Sequence, residues 1–172
     1  MTPKPNGALD RTETGPDLVL TRTFQAPITD VWDSLTESER TARWFGPWAG
    51  SPGAGRTISV TMAAEEGSPE MQMKIEACEP PYHLSVSAVD EYGTWHLEAQ
   101  LTEREGVTHL RFVQHLTDTS GVGETGPGWE YYLDRLTAAV RAEPMPEFDD
   151  YYPGMKGYYD ALAKEAADHA PE

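Results

Sequence analysis

Between Met71 and Leu116 the apolar residues keep one parity across every turn. Met71, Met73, Ile75 and Ala77 alternate with Glu70, Gln72, Lys74 and Glu76. Leu84, Val86 and Ala88 follow Pro80-Pro81, and Trp95, Leu97, Ala99 and Leu101 follow Tyr92-Gly93. Leu110, Phe112 and Leu116 close the run, with polar Gln114 in register. Period-two alternation predicts strands with one apolar and one wet face. Folding about Pro80-Pro81 pairs Ala77 with Leu84 and Ile75 with Val86. Folding about Glu91-Tyr92 pairs Val86 with Leu97. Folding about Arg104-Glu105 pairs Leu101 with Thr108, Ala99 with Leu110, Leu97 with Phe112 and Trp95 with Gln114, and sets Glu98 opposite Arg111.

The flanking segments supply what covers the apolar face. Met1 to Pro16 reads as a flexible leader, and Leu18 to Gln25 as a strand. Pro27 suits the first position of a short helix with Val31, Trp32 and Leu35 on its stripe. Thr36 to Glu39 has the pattern of a capping box opening a second helix, which ends around Trp44 to Pro47. Thr57 to Met62 predicts a strand that places Val60 against Met73, and Ala63 to Pro69 an acidic loop. Thr117 to Gly128 reads as a Gly-rich connector. Trp129, Leu133, Leu136 and Val140 then form a helical stripe that Tyr132 and Ala139 widen. Pro144, Pro146 and Pro153 break it before a last helix from Gly154 to about Ala167.

The implied fold class is α+β: a curved six-stranded antiparallel sheet around a long C-terminal helix, with two short helices after the first strand and an extra helix at the end. The expected organisation is a leader over 1–16, one domain over 17–142 and an extension over 143–172 whose helix packs on that domain. A curved sheet and a helix leave space between them that suits a small molecule.

Composition narrows the partners. Thirteen basic against twenty-nine acidic residues give a net charge of −16. Such a field repels nucleic acid and anionic membrane surfaces. Cys78 is the single cysteine, so no internal disulfide forms, and Met1 to Pro16 has no apolar core of a secretory signal. A cytoplasmic protein is expected.

The stretch FQAPITDVWDSLTESERTARWFGP carries a family likeness through Arg22, Phe24, Ala26, Pro27, Val31, Trp32, Thr36, Glu39 and Trp44. The Cys78-Glu79-Pro80-Pro81 strand end and the helix from Gly128 to Leu136 extend it. From Leu18 to Val140 the chain resembles the START-like (SRPBCC) superfamily, in its branch of heat-shock-protein ATPase-activator homologues. The resemblance implies a helix-grip fold like that of the birch pollen allergen. It also implies binding of an apolar or aromatic small molecule, with cyclase- or aromatase-like shaping of a reactive chain if the protein is an enzyme. The alternative it implies is a co-chaperone-like or regulatory module that binds a protein partner; a homodimer contact through the first strand or the tail helix is a separate expectation.

Inward parity nominates Trp44, Trp48, Val60, Met62, Met73, Val86, Trp95, Leu97, Phe112, Gln114, Trp129, Tyr132, Leu133 and Leu136 as ligand-binding residues. Trp and Met supply polarizable walls. Gln114 must be hydrogen-bonded if buried, to a guest, to backbone or to water. No residue is nominated as catalytic, and neither a metal nor a cofactor is expected. His96, His109 and His115 fall on the wet face with no zinc spacing and read as solvated. Cys78 has outward parity and reads as incidental. Gly121 to Gly126 lacks a P-loop lysine and reads as a hinge or lid.

Overall fold

The computed structural model describes residues 3–91 and 93–168. Among the described residues, one antiparallel sheet holds eight strands. They are β1 (Ala8–Thr12), β2 (Gly15–Phe24), β3 (Trp48–Ala49), β4 (Thr57–Thr61), β5 (Glu70–Glu79), β6 (His83–Asp90), β7 (Gly93–Arg104) and β8 (Val107–His115). Their spatial order is β1-β2-β8-β7-β6-β5-β4-β3. The helices are α1 (Ile28–Thr36), α2 (Ser38–Thr41), α3 (Val122–Arg141) and α4 (Lys156–Asp168).

The fold class is α+β as expected, but the sheet has eight strands rather than six. β1 arises inside the expected leader, where Ala8 to Thr12 fold back on Val19 to Gly15. β3 is a two-residue edge strand that pairs Trp48 with Val60. The expected capping box does not form, because Thr36 Oγ1 donates instead to the Trp32 carbonyl inside α1.

Parity is kept across the β4–β5, β6–β7 and β7–β8 hairpins, while two registers differ from expectation by two residues. Leu101 pairs with Leu110, Ala99 with Phe112 and Leu97 with Gln114, so Arg111 faces Gln100 and Glu98 faces Val113. The loop is Glu105-Gly106, with φ of 54° and 78°. Positive φ at both central positions defines a turn that suits strand twist and wants glycine second, which Arg104-Glu105 cannot supply. Val60 likewise pairs with Met71, and Ile58 takes Met73. The β6–β7 pairing of Val86 with Leu97 is as expected; Tyr92 of that turn lies outside the described residues.

A bulge between Ile75 and Ala77 reverses parity at the end of β5. Ile75 still pairs with Val86, but Cys78, not Ala77, meets Leu84. The extra residue of a bulge re-aims the side chains that follow it, so Cys78 turns inward.

α3 begins at Val122, so the Gly-rich run expected as a hinge or lid is its first two turns, with Pro127 inside the helix. Propensity disfavours this, but packing decides. A Cβ on Gly126 would sit 2.4 Å from the ring of Tyr159, a fully buried α4 residue. Glycine there lets α4 lie close against α3. On its other side α3 shares one apolar core with the sheet, joining Leu133 and Leu136 to Leu97, Ala99, Leu101, Leu110 and Phe112.

Candidate functional site

A cavity of about 150 Å³ remains between the sheet, the α1–α2 corner and α3. Its position follows from two tryptophans that brace the corner. The last carbonyls of a helix have no intrahelical partner. The Trp44 indole N–H donates to the Ser34 carbonyl at 2.7 Å, and that of Trp48 to the Thr36 carbonyl at 2.9 Å. Both rings line the cavity opposite residues of β4 and β5.

Nine of the fourteen nominated residues line this cavity: Trp44, Trp48, Val60, Met73, Val86, Leu97, Phe112, Trp129 and Leu133. Five do not. Met62 is buried beside Val60 in the smaller apolar cluster under β4 and β5. Leu136 is fully buried one turn beyond Leu133. Trp95 packs edge-on against Trp129, its indole N–H donating to Asp90 at 2.8 Å. Tyr132 packs on Phe45 and Trp129 and donates its hydroxyl to Glu65 at 2.9 Å. Gln114 accepts the Trp129 indole N–H at 2.8 Å. The buried amide therefore has a partner that is neither guest, backbone nor water, and it fixes the ring that forms one wall.

Phe112 and Trp129, their centroids 4.5 Å apart, form part of the lining, which Leu84 of β6 and Ile75 and Cys78 of β5 continue across the sheet. Cys78 is thus a wall residue rather than incidental. Burial pushes its thiol up from the usual range, so it stays protonated. Of the lining residues only Pro52 is exposed, which marks the solvent side of the cavity at the loop between β3 and β4.

His109 is exposed as expected, but His83, His96 and His115 depart from the solvated expectation. On the outer face, Asp17, His115, Glu98, His83 and Glu79 form a continuous chain across β2, β8, β7, β6 and β5. His115 Nδ1 meets Asp17 at 2.7 Å and its Nε2 meets Glu98. His83 Nε2 meets Glu98 at 2.7 Å and its Nδ1 meets Glu79 at 2.9 Å. His96 stacks on His115, and its Nε2 lies 3.1 Å from Ser85 Oγ. The hydrogen bonds that His83 makes to the Glu79 and Glu98 carboxylates raise its pKa. Burial pulls His115 down, but its bonds to Glu98 and Asp17 outweigh this and raise it. Burial lifts Glu98, but its bonds to His115 and His83 outweigh this and lower it.

A raised histidine pKa stabilises the fold below the unfolded value of about 6.5 and is lost as pH climbs through the folded value. A lowered Glu98 stabilises above about 4.5 and is lost as pH falls through its folded value. The chain of groups therefore contributes most between about pH 4.5 and 6.5. Urea midpoints are expected to be higher at about pH 6 than at about pH 9, and Glu98→Gln is expected to shrink that difference. A difference unchanged in Glu98→Gln would assign the pH effect to the general negative charge.

Comparison with known proteins follows the same lines. The profile of the family described as Activator of Hsp90 ATPase homolog 1-like protein matches residues 25–141. Among curated proteins no match is found. The crystal structure of CalU16 from Micromonospora echinospora is similar with a TM-score of 0.76 and 26% identity, over 93% of this chain and 97% of that one. DynU16, described as a putative protein in the dynemicin biosynthetic locus, is similar with a TM-score of 0.66 and 20% identity, over 77% of this chain and 50% of that one. EF2215 from Enterococcus faecalis, a conserved protein of unknown function, gives 0.72 and 17%, over 96% and 92%. The opening motif, the sheet gripping α3 and the matched span agree: the chain belongs to the family of Activator of Hsp90 ATPase homolog 1-like proteins, in the START-like (SRPBCC) superfamily.

Proposed function

We propose that this protein binds a small apolar or aromatic molecule in the cavity between the sheet and α3. The observation that carries the reading is the cavity itself: about 150 Å³ left unfilled in a core whose walls are indole, phenyl, thioether and branched aliphatic groups. Interiors pack closely, and a void of this size forfeits dispersion contacts that a guest would restore. The description of DynU16 places one structural relative in a biosynthetic locus, which agrees with a role beside a small metabolite. Any chemistry on the guest, ring closure included, would come from holding a reactive conformation and excluding water. Glu98 reaches the lining, but both its carboxylate oxygens are engaged by His83 and His115 on the outer face.

Native mass spectrometry of freshly purified protein, followed by exposure to extracts of its source, tests the reading. An apolar adduct released on unfolding, and excluded by the cavity-filling Val86→Phe variant, is the expected result. A folded protein that takes no adduct, or one that Val86→Phe still takes, would refute it.

A further inference from the structure

The cavity wall is chemically one-sided. Each polar side-chain group facing it already has a partner inside the protein. The indole N–H groups of Trp44, Trp48 and Trp129 donate to the Ser34 carbonyl, the Thr36 carbonyl and Gln114 Oε1. The hydroxyls of Thr36 and Thr41 donate to the carbonyls of Trp32 and Ser38 at 2.8 and 3.2 Å. Among the described residues that line the cavity, the Cys78 thiol is the one side-chain heteroatom with neither hydrogen bond nor ion pair apart from the thioether of Met73. A thiol is a weak donor and acceptor, and both sulfurs are soft contacts for a ring.

We infer that the site selects neutral one-ring compounds without hydrogen-bonding groups, such as alkylbenzenes or a cyclic hydrocarbon moiety. The inference rests on the binding role proposed above and names its ligand class. Size and wall chemistry both point there. A space of about 150 Å³ between apolar walls is enough for one benzene-sized ring. A guest carboxylate would leave water and find no free side-chain donor, and a guest hydroxyl or amine would find only the spare lone pairs of the Thr36 and Thr41 hydroxyls, so each would bind at least about ten-fold more weakly than its apolar isostere. Charged guests are excluded outright, because desolvating an unpaired ion is prohibitive. Selectivity of this kind is the reverse of a site built to read a hydroxyl, and it follows from bracing the corner with the indole N–H groups themselves.

The test is an NMR titration of methyl-labelled protein with toluene, phenol, benzoate and benzylamine. Toluene is expected to shift the methyl signals of Val60, Val86, Leu97 and Leu133. Phenol should bind at least about ten-fold more weakly, and the two ions should leave those signals in place. Phenol or benzoate binding as tightly as toluene would overturn the inference and leave the apolar-guest role standing. Binding by none of the four, in protein with a folded spectrum and with extracts also giving no adduct, would refute both. In the Val86→Phe variant toluene should lose its effect; retained shifts would place the binding elsewhere and overturn the inference.

Discussion

Replacing Glu130 with leucine is expected to cost about 3 kcal/mol of folding stability, the lower end of the range for orphaning one member of a buried ion pair. Glu130 is fully buried in the middle of α3. Its Oε1 accepts from Arg22 Nη2 at 2.8 Å. Its Oε2 accepts from the Tyr159 hydroxyl at 2.6 Å, the Asn6 backbone N–H at 2.7 Å and, more weakly, that of Gly7 at 3.4 Å. Leucine satisfies none of these donors. The figure stays at the lower end because Asp134 still holds Arg22 Nε at 2.9 Å, while the other Asp134 oxygen accepts from Tyr151. Urea unfolding of the variant gives the loss directly. The double variant Glu130→Leu, Arg22→Leu should recover part of it, since it also removes the guanidinium that the single variant leaves with Asp134 as its one carboxylate partner. A single-variant loss below about 1 kcal/mol would show that water reaches the pocket and satisfies the donors.

Leu133→Ala is expected to cost about 2–5 kcal/mol, towards the upper half of that range. Leu133 is 1% exposed, on the α3 face that closes the cavity. The walls opposite it are strands in a ladder and tryptophans bonded to helix carbonyls, so they cannot collapse into the space. A variant this hollow should accept a two-ring hydrocarbon that the parent rejects. Saturating naphthalene should raise its melting temperature by mass action while leaving the parent unchanged. Equal responses of the two proteins would mean that Leu133 does not limit the cavity.

Much of this arrangement is legible in the residues. The parity from Met71 to Leu101 names the inward face, and the stripe Trp129, Leu133, Leu136 names the helix that covers it. What parity cannot do is fix register. It is blind to a slip of two, and the decisive signal at the last hairpin was Gly106, whose positive φ sets the turn one residue later than Arg104-Glu105. The bulge before Ala77 left no mark in the pattern, and it alone brought Cys78 to the wall. Gly123 and Gly126 read as loop because propensity speaks for the isolated chain, whereas the buried Tyr159 ring of α4 leaves no room for a side chain at Gly126. Met62, Trp95, Gln114, Tyr132 and Leu136 share the inward direction with the lining residues. Which of them meets empty space and which meets a neighbour depends on where the aromatic rings pile up, and that is decided in three dimensions. Glu130 carried no signal: a lone acid on a helix reads as solvated until Arg22, Asn6 and Tyr159 converge on it.

That convergence ties the segment before β1 and the helix α4 to one carboxylate, with the Tyr158 hydroxyl also reaching the Gly7 carbonyl. Asn6 is synthesised long before Tyr159, so this junction closes only once α4 has been made.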